Sequence, residues 1–239
     1  MKSRADFYED AHAKEQEYFR GDKYHLARQT FIECGAKRIL DVGCGEGAFL
    51  KFCMESGIEC FGIEISQSAI EAAKRSDLNV FKLNIDEEEF PFEQESFDAI
   101  FCGEVIEHVF DPDHLLDECL RVLRPDGILI LTTPNLSSWF NRILLLFGYQ
   151  PLFTEVSTRY GVGHPFNFWL KAGHIRIFTY RALMQLLTIH DFKIIKVKGF
   201  GINPNIGYGR RFKTITRVLN AIFRKSSLSS DLFVVAGKK

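Results

Sequence analysis

Between residues 41 and 108 the chain carries acids, glycines and a histidine at spacings that suit ligand chemistry. Asp41 precedes three glycines at alternate positions, Gly43, Gly45 and Gly47, with Cys44 between the first two. Such a loop lets the backbone enter positive φ and lets a ligand lie against the main chain. Glu64-Ile65 stands roughly 20 residues further on, where a carboxylate grips a ribose in nucleotide-binding folds. Its two oxygens can accept from the 2′- and 3′-hydroxyls together. Asn84-Ile85-Asp86 and Cys102-Gly103-Glu104 follow, and then Glu107-His108. His174 and Arg176 come much later. An imidazole suits a general base near neutral pH, so His108 and then His174 are the candidate bases.

The glycine turn alone admits two ligands. A dinucleotide fingerprint, G-x-G-x-x-G/A, is met as Gly43, Gly45 and Ala48. That reading sets a pyrophosphate beside Asp41, and like charge opposes it. A ligand with hydroxyls or an ammonium suits an acid there. A third role for Asp41 is simply to bond loop amides. Glu64 does not separate the readings, because ribose is common to them.

These residues need elements that bring them to one edge. Apolar runs predict strands at 39–42, 59–63, 80–83, 99–102, 128–132, 193–197 and 232–236. Helices are expected at 49–56, stopped by Gly57, and at 67–75, capped by Ser66. Two more are expected at 114–123 after Asp111-Pro-Asp113, and from Thr179 to about 189. Arg124-Pro-Asp-Gly127 reads as a turn. Strands alternating with helices give an α/β chain with a mostly parallel sheet. Each candidate residue then follows a strand's carboxyl end, where ligands bind in such sheets.

The stretch from Asp41 to Gly47 resembles the D-x-G-x-G-x-G loop of the class I S-adenosylmethionine (SAM) methyltransferases. The resemblance continues through Phe97-Asp98, Gly103-Glu-Val-Ile-Glu-His-Val109 and Leu123-Arg-Pro-Asp-Gly127, and resumes at Gly173-His-Ile-Arg-Ile-Phe-Thr179. The Gly103–Val109 wording is found, for example, in the ubiquinone/menaquinone-type small-molecule methyltransferases, which this chain resembles. The resemblance implies a Rossmann-like seven-stranded sheet with helices on both faces, SAM as cofactor and S-adenosylhomocysteine as product. The implied cofactor residues are Asp41, Gly43, Cys44, Gly45, Gly47, Glu64, Ile65, Asn84, Ile85, Asp86, Cys102, Gly103 and Glu104. The implied reaction is in-line transfer of the sulfonium methyl to a small-molecule or lipid-like acceptor held roughly 3 Å away. Glu104, Glu107 and His108 lie close in sequence, but no further acid converges on them, and no metal is expected. A nicotinamide-dependent oxidoreductase and a SAM-binding protein without catalysis are the alternatives. Against the oxidoreductase, residues 134–239 look like cover and sheet completion rather than a second catalytic domain.

Outside the motifs, residues 1–34 look helical, with a break at Gly21-Asp22 and aromatic residues including Phe7, Tyr8, Tyr18 and Phe19, as in a lid. Residues 135–178 form an aromatic-rich insertion after the fifth strand, expected to cover the substrate side. Residues 199–230 hold a basic amphipathic helix at 212–224, with Ile215, Val218, Leu219 and Ile222 on one side. It suits either a packed helix or peripheral contact with an anionic membrane. The 239 residues allow one domain, and a net charge of −1 gives no field for nucleic acid. Six cysteines without metal-ligand spacing, a polar amino terminus and no long apolar run lead to the expectation of a cytoplasmic protein. Oligomeric state is not written in the sequence.

Overall fold

The structure is a computed structural model and describes residues 22–157, 159–164, 173–202, 210–223 and 225–239. After α1 (Asp22–Glu33), strands and helices alternate: β1 (Arg38–Val42), α2 (Ala48–Met54), β2 (Glu59–Glu64), α3 (Gln67–Lys74), β3 (Asn79–Lys82), β4 (Phe97–Gly103), α4 (Pro112–Val122) and β5 (Leu123–Pro134). Then come α5 (Trp139–Leu146), α6 (Tyr180–Ile189), β6 (Phe192–Phe200), α7 (Arg210–Ile222) and β7 (Asp231–Lys238). The seven strands form one sheet in the order β3-β2-β1-β4-β5-β7-β6. The first five pair in parallel, and β7 runs antiparallel between β5 and β6. The expected Rossmann-like, mostly parallel sheet is the one observed.

The order reverses at β1, because β2 and β3 lie to one side and β4 and β5 to the other. Helices cannot fill that point, and the crevice outside the carboxyl ends of β1 and β4 is left for a ligand. Side chains alternate across β1, so Leu40 and Val42 face one apolar cluster and Ile39 the other. The first cluster joins Leu115 and Leu116 of α4 to Leu183 and Leu187 of α6. The second joins Phe31 of α1 to Phe49 and Leu50 of α2. Full burial of each such side chain contributes roughly 1.5–3 kcal/mol.

The helix starts follow the expected caps. Ser66, Asp111 and Thr179 accept from the amides of Ala69, His114 and Ala182. The 124–127 turn is different. It lies inside β5, where Leu123 stands opposite Phe97 and Ile128 opposite Ala99. Four residues therefore face Asp98 alone and bulge, with the Arg124 guanidinium paired to the Asp98 carboxylate. Ladder pairing on both sides holds extended what proline and glycine locally favour as a turn.

On the flank of the sheet, His190 at the end of α6 bonds two aspartates of α4. Its Nδ1 is 2.7 Å from Asp117 and its Nε2 2.7 Å from Asp113. The basic helix begins two residues earlier than expected, and Val218 (53%) and Ile222 (64%) of its apolar side are exposed rather than packed. Five of the six cysteines are buried, and all six are free thiols. No helix among the described residues is long and apolar enough to cross a membrane. Phe7, Tyr8, Tyr18, Phe19 and the rest of the expected lid before Asp22 lie outside the described residues, as do Phe166, Phe168 and Trp169.

Candidate active site

The glycine loop leaves β1 with Gly43 at φ 70°, Gly45 at 52° and Gly47 at 78°. A β-carbon on Gly43 would sit 2.6 Å from Val105 Cγ2, and one on Gly47 would overlap Leu78. Close approach as well as conformation thus excludes a side chain. The amides of Gly43 and Cys44 donate to the carbonyl of Ile63, which ties the loop to β2. Cys44 is packed against Gly62, so its thiol fills space.

Glu64, at the tip of β2, is buried, and its carboxylate accepts from three amides: Gly45 (2.8 Å), Ile65 (2.7 Å) and Ser66 (2.8 Å). It holds the loop in shape at the position expected for a ribose. Asp41 is buried too, and no hydrogen bond from a described residue reaches its carboxyl. Burial, with added repulsion from Cys60 and Glu64, pushes it well above the usual carboxylate range. A donor-rich or cationic group would relieve this acidic pair, whereas a pyrophosphate would aggravate it.

The next loop is tied across the crevice. Asn84 Oδ1 accepts from the Asp86 amide at 3.2 Å. Asp86 Oδ1 accepts from the amides of Phe110 (2.6 Å) and Asp111 (3.1 Å), joining the loop after β3 to the start of α4. Ile85 and Cys102 are buried in the first apolar cluster. Gly103 is closed in by Phe101, whose ring would lie 2.5 Å from an added β-carbon.

Glu104 has a positive φ of 57°, and its amide donates to Thr132 at 3.0 Å. Left-handed backbone at a non-glycine residue costs of order 1–2 kcal/mol and often marks a working site. Its carboxylate accepts from Lys23 Nζ (2.8 Å) and Thr132 Oγ1 (2.6 Å). Lys23, on α1, lies 3.3 Å from Asp231 Oδ1 at the start of β7. Burial alone would push Glu104 up, but the Lys23 ammonium and the hydrogen bonds outweigh it and hold the carboxyl below its usual range. Burial opposes the Lys23 charge, yet its two acids keep the ammonium above the ordinary lysine range. Asp231 is pushed by burial up to about 6, against the pull of Lys23 and with repulsion from Glu104. Lys23, Thr132 and Asp231 carried no sequence signal, since no motif connects α1 with β7.

His108 and His174, far apart in sequence, come together with their rings 4.8 Å apart. The carbonyl of Glu107 accepts from the amides of Ile175 (2.9 Å) and Arg176 (3.2 Å), which draws the later segment in. His108 Nδ1 lies 3.3 Å from Gly173 O, and His174 Nδ1 lies 2.9 Å from Phe153 O. A carbonyl only accepts, so each Nδ1 carries a proton in these contacts, which leaves Nε2 as the basic nitrogen of either ring when it is neutral. Thr133 Oγ1 donates to the buried Glu107 carboxylate at 2.9 Å. Ligand atoms of Glu107, His108 and His174 all lie within 4.8 Å of one another, a donor set able to hold a divalent cation. The trio weighed in sequence was Glu104, Glu107 and His108; Lys23 engages Glu104, and His174 converges in its place. Arg176 donates to Phe110 O at 3.0 Å, bracing the loop before α4.

A family profile described as a methyltransferase domain matches residues 13–197. The ubiquinone biosynthesis O-methyltransferase of Actinobacillus pleuropneumoniae is 33% identical over 179 residues, 70% of this chain and 70% of that protein. The enzyme of the same name from Bradyrhizobium diazoefficiens is 34% identical over 121 residues, 48% of this chain; the chain spans about half of that relative's length (47%). A solved SAM-dependent methyltransferase from Archaeoglobus fulgidus shares the fold, with a TM-score of 0.61 at 22% identity over 93% of this chain and 97% of that one.

Proposed function

Because this chain belongs to the class I SAM-dependent methyltransferases, we propose that it moves a methyl group from SAM to a small-molecule or lipid-like acceptor. The observation that carries this is the buried acidic pair at the glycine loop, Glu64 on the Gly45 amide and Asp41 behind it. It fits the cofactor's ribose hydroxyls and ammonium, and its negative charge opposes a pyrophosphate at the same loop. When bound, SAM supplies an electrophilic methyl on a sulfonium.

The chain's own residues bind, orient and move protons. Gly43, Gly45 and Gly47 let the cofactor lie on the main chain. Ile85 offers an apolar wall for the adenine, with Asn84 and Asp86 as polar partners. Gly103 and Glu104 shape the far side, and Lys23 keeps Glu104 ionised. An acceptor hydroxyl becomes a nucleophile on losing its proton, and Nε2 of His108 or His174 is the base. The curated relatives are named O-methyltransferases of ubiquinone biosynthesis, so a phenolic oxygen is the first acceptor to screen. Exposed Leu146 (79%) and Phe147 (71%), at the end of α5, favour a lipid-like acceptor or contact with a membrane surface.

A second reading of the histidines rests on their convergence with Glu107. A divalent cation held by these three residues would lower the pKa of the acceptor hydroxyl in place of a base. Dialysis against a chelator separates the two. Activity that survives assigns the histidines as bases, and activity restored only by added cation assigns them as ligands.

The deciding experiment is calorimetric titration with S-adenosylhomocysteine and, separately, NADH, for the wild type and Glu64→Ala. Homocysteine-form binding that the variant loses is the expected result. Binding of NADH alone overturns the proposal. Binding of the cofactor product with no methyl transfer to any phenol, amine or carbon acid leaves a SAM-binding protein without catalysis.

A further inference from the structure

Beyond β5, on the half of the sheet away from the glycine loop, lies a cavity of about 700 Å³. That size is ordinary for a small-molecule site, but the lining is not. Arg142, Arg181 and Lys225 border it together with Ser137, Ser226 and Ser227. Among the described residues, no aspartate or glutamate lines it and none of the three cations forms an ion pair. Thr179 and Tyr180 complete the wall, at the amino-terminal turn of α6. That turn adds the positive end of a ten-residue helix to the same space. Three like charges around one concavity repel each other unless an anion enters.

The frame of the cavity is well bonded. Arg142 Nε donates to Ser137 O at 2.8 Å, and Ser137 Oγ donates to Asn135 Oδ1 at 2.8 Å. Asn135 Nδ2 donates to Ser227 O (3.3 Å) and Ser229 O (2.8 Å), and the Asn135 main chain bridges to Phe178. One asparagine thus fixes the three segments that supply the cations. None of the residues expected to bind SAM takes part. β1 lies two strands from β5, on the order of 10 Å in the sheet, so the cavity's lining and the glycine loop are separate parts of the molecule.

We propose that this cavity binds a phosphate-bearing group, with Arg142, Arg181 and Lys225 as its counter-charges and the Ser227 hydroxyl as a donor. Planar guanidinium groups suit phosphate oxygens through paired hydrogen bonds, and the Ser227 hydroxyl suits a remaining lone pair. A phosphorylated soluble molecule and the headgroup of an anionic phospholipid share this chemistry. The inference does not depend on the methyl-transfer reading, because none of the expected cofactor residues lines the cavity.

The test measures binding of inorganic pyrophosphate by calorimetry at constant ionic strength. In parallel, sedimentation is followed with vesicles of phosphatidylcholine, alone or mixed with phosphatidylglycerol. Wild type is compared with Arg142→Ala/Arg181→Ala and with Lys225→Glu, all of them exposed side chains. S-adenosylhomocysteine binding serves as the control for folding. Pyrophosphate binding weakened about tenfold or more in the variants, with no vesicle binding, supports a soluble phosphorylated ligand. Sedimentation with the anionic vesicles alone, lost in the variants, supports a headgroup. Failure of both probes to bind, or binding that the variants leave unchanged, overturns the proposal. Because the control reports on the other site, either result is separate from the fate of the methyltransferase reading.

Discussion

Four acids, Asp41, Glu64, Glu104 and Asp231, and one buried ammonium, Lys23, decide most of the behaviour of this site. Glu64→Ala leaves three amides without their acceptor, at about 1–3 kcal/mol for each that water does not reach. S-adenosylhomocysteine affinity is expected to fall at least tenfold in calorimetry, with Glu64→Gln intermediate. Lys23→Met leaves Glu104 and Asp231 buried without their cation, which is expected to cost roughly 3–5 kcal/mol in urea unfolding. Asp231 binds its proton more tightly folded, at about 6, than at its ordinary 3.8. Its contribution to stability is therefore full below the lower value and lost as pH rises through the upper one. Asp231→Asn should flatten the unfolding free energy across that window, and an unchanged slope would refute the assignment. Asp41 and Glu64 were legible in the sequence because a strand ending in spaced glycines fixes what each must face. The Lys23–Glu104–Asp231 triad was not, because its members share no local pattern and meet only through the tertiary pairing of α1 with β7.

At the scale of elements, the loop–helix joint at Gly47 and the pairing of α4 with α6 carry the testable consequences. Gly47→Ala must adopt a left-handed backbone and displace Leu78. The expected cost is about 1–3 kcal/mol in chemical unfolding, with weaker cofactor binding because the loop shifts. The His190 bridge behaves oppositely to a buried acid. Burial opposes its charge, but Asp113 and Asp117 outweigh this and raise its pKa. The bridge stabilises below the ordinary histidine value and is lost as pH rises through the raised one. Melting temperature should thus drop between about pH 6 and 8 more in wild type than in His190→Gln. Caps at Ser66, Asp111 and Thr179 were readable because a side-chain oxygen before an apolar run has a local reason to be there. The bulge at 124–127 was not, since Pro125 and Gly127 announce a turn while the pairing that extends them comes from β4. What meets the basic helix's apolar side was left open for a similar reason: periodicity gives a face, not the surface that meets it.

For the whole molecule, a ligand that binds only the folded chain raises its stability by mass action. At a concentration a hundredfold above its dissociation constant, S-adenosylhomocysteine is expected to add about 2.7 kcal/mol. A scan of melting temperature against concentration checks this, and NADH at the same excess should leave the transition where it was. The sheet's class was visible from the alternation of strands and helices, and the edge that holds the candidate residues from the glycine loop and the strand ends, but the reversal at β1 was not. The place of β7, slotted between its neighbours, was not, because sequence order says little about an antiparallel insertion. That placement bears on how the protein is made. A ribosome delivers residues from the amino end at about 5–20 per second, and domains begin to fold as they emerge. Until residues 231–238 arrive, β5 and β6 each offer an open edge of unpaired amides and carbonyls, and Lys23 lacks one of its two acids. The nascent chain therefore completes its sheet and its charge balance in a single late event, and until then it has most need of a chaperone.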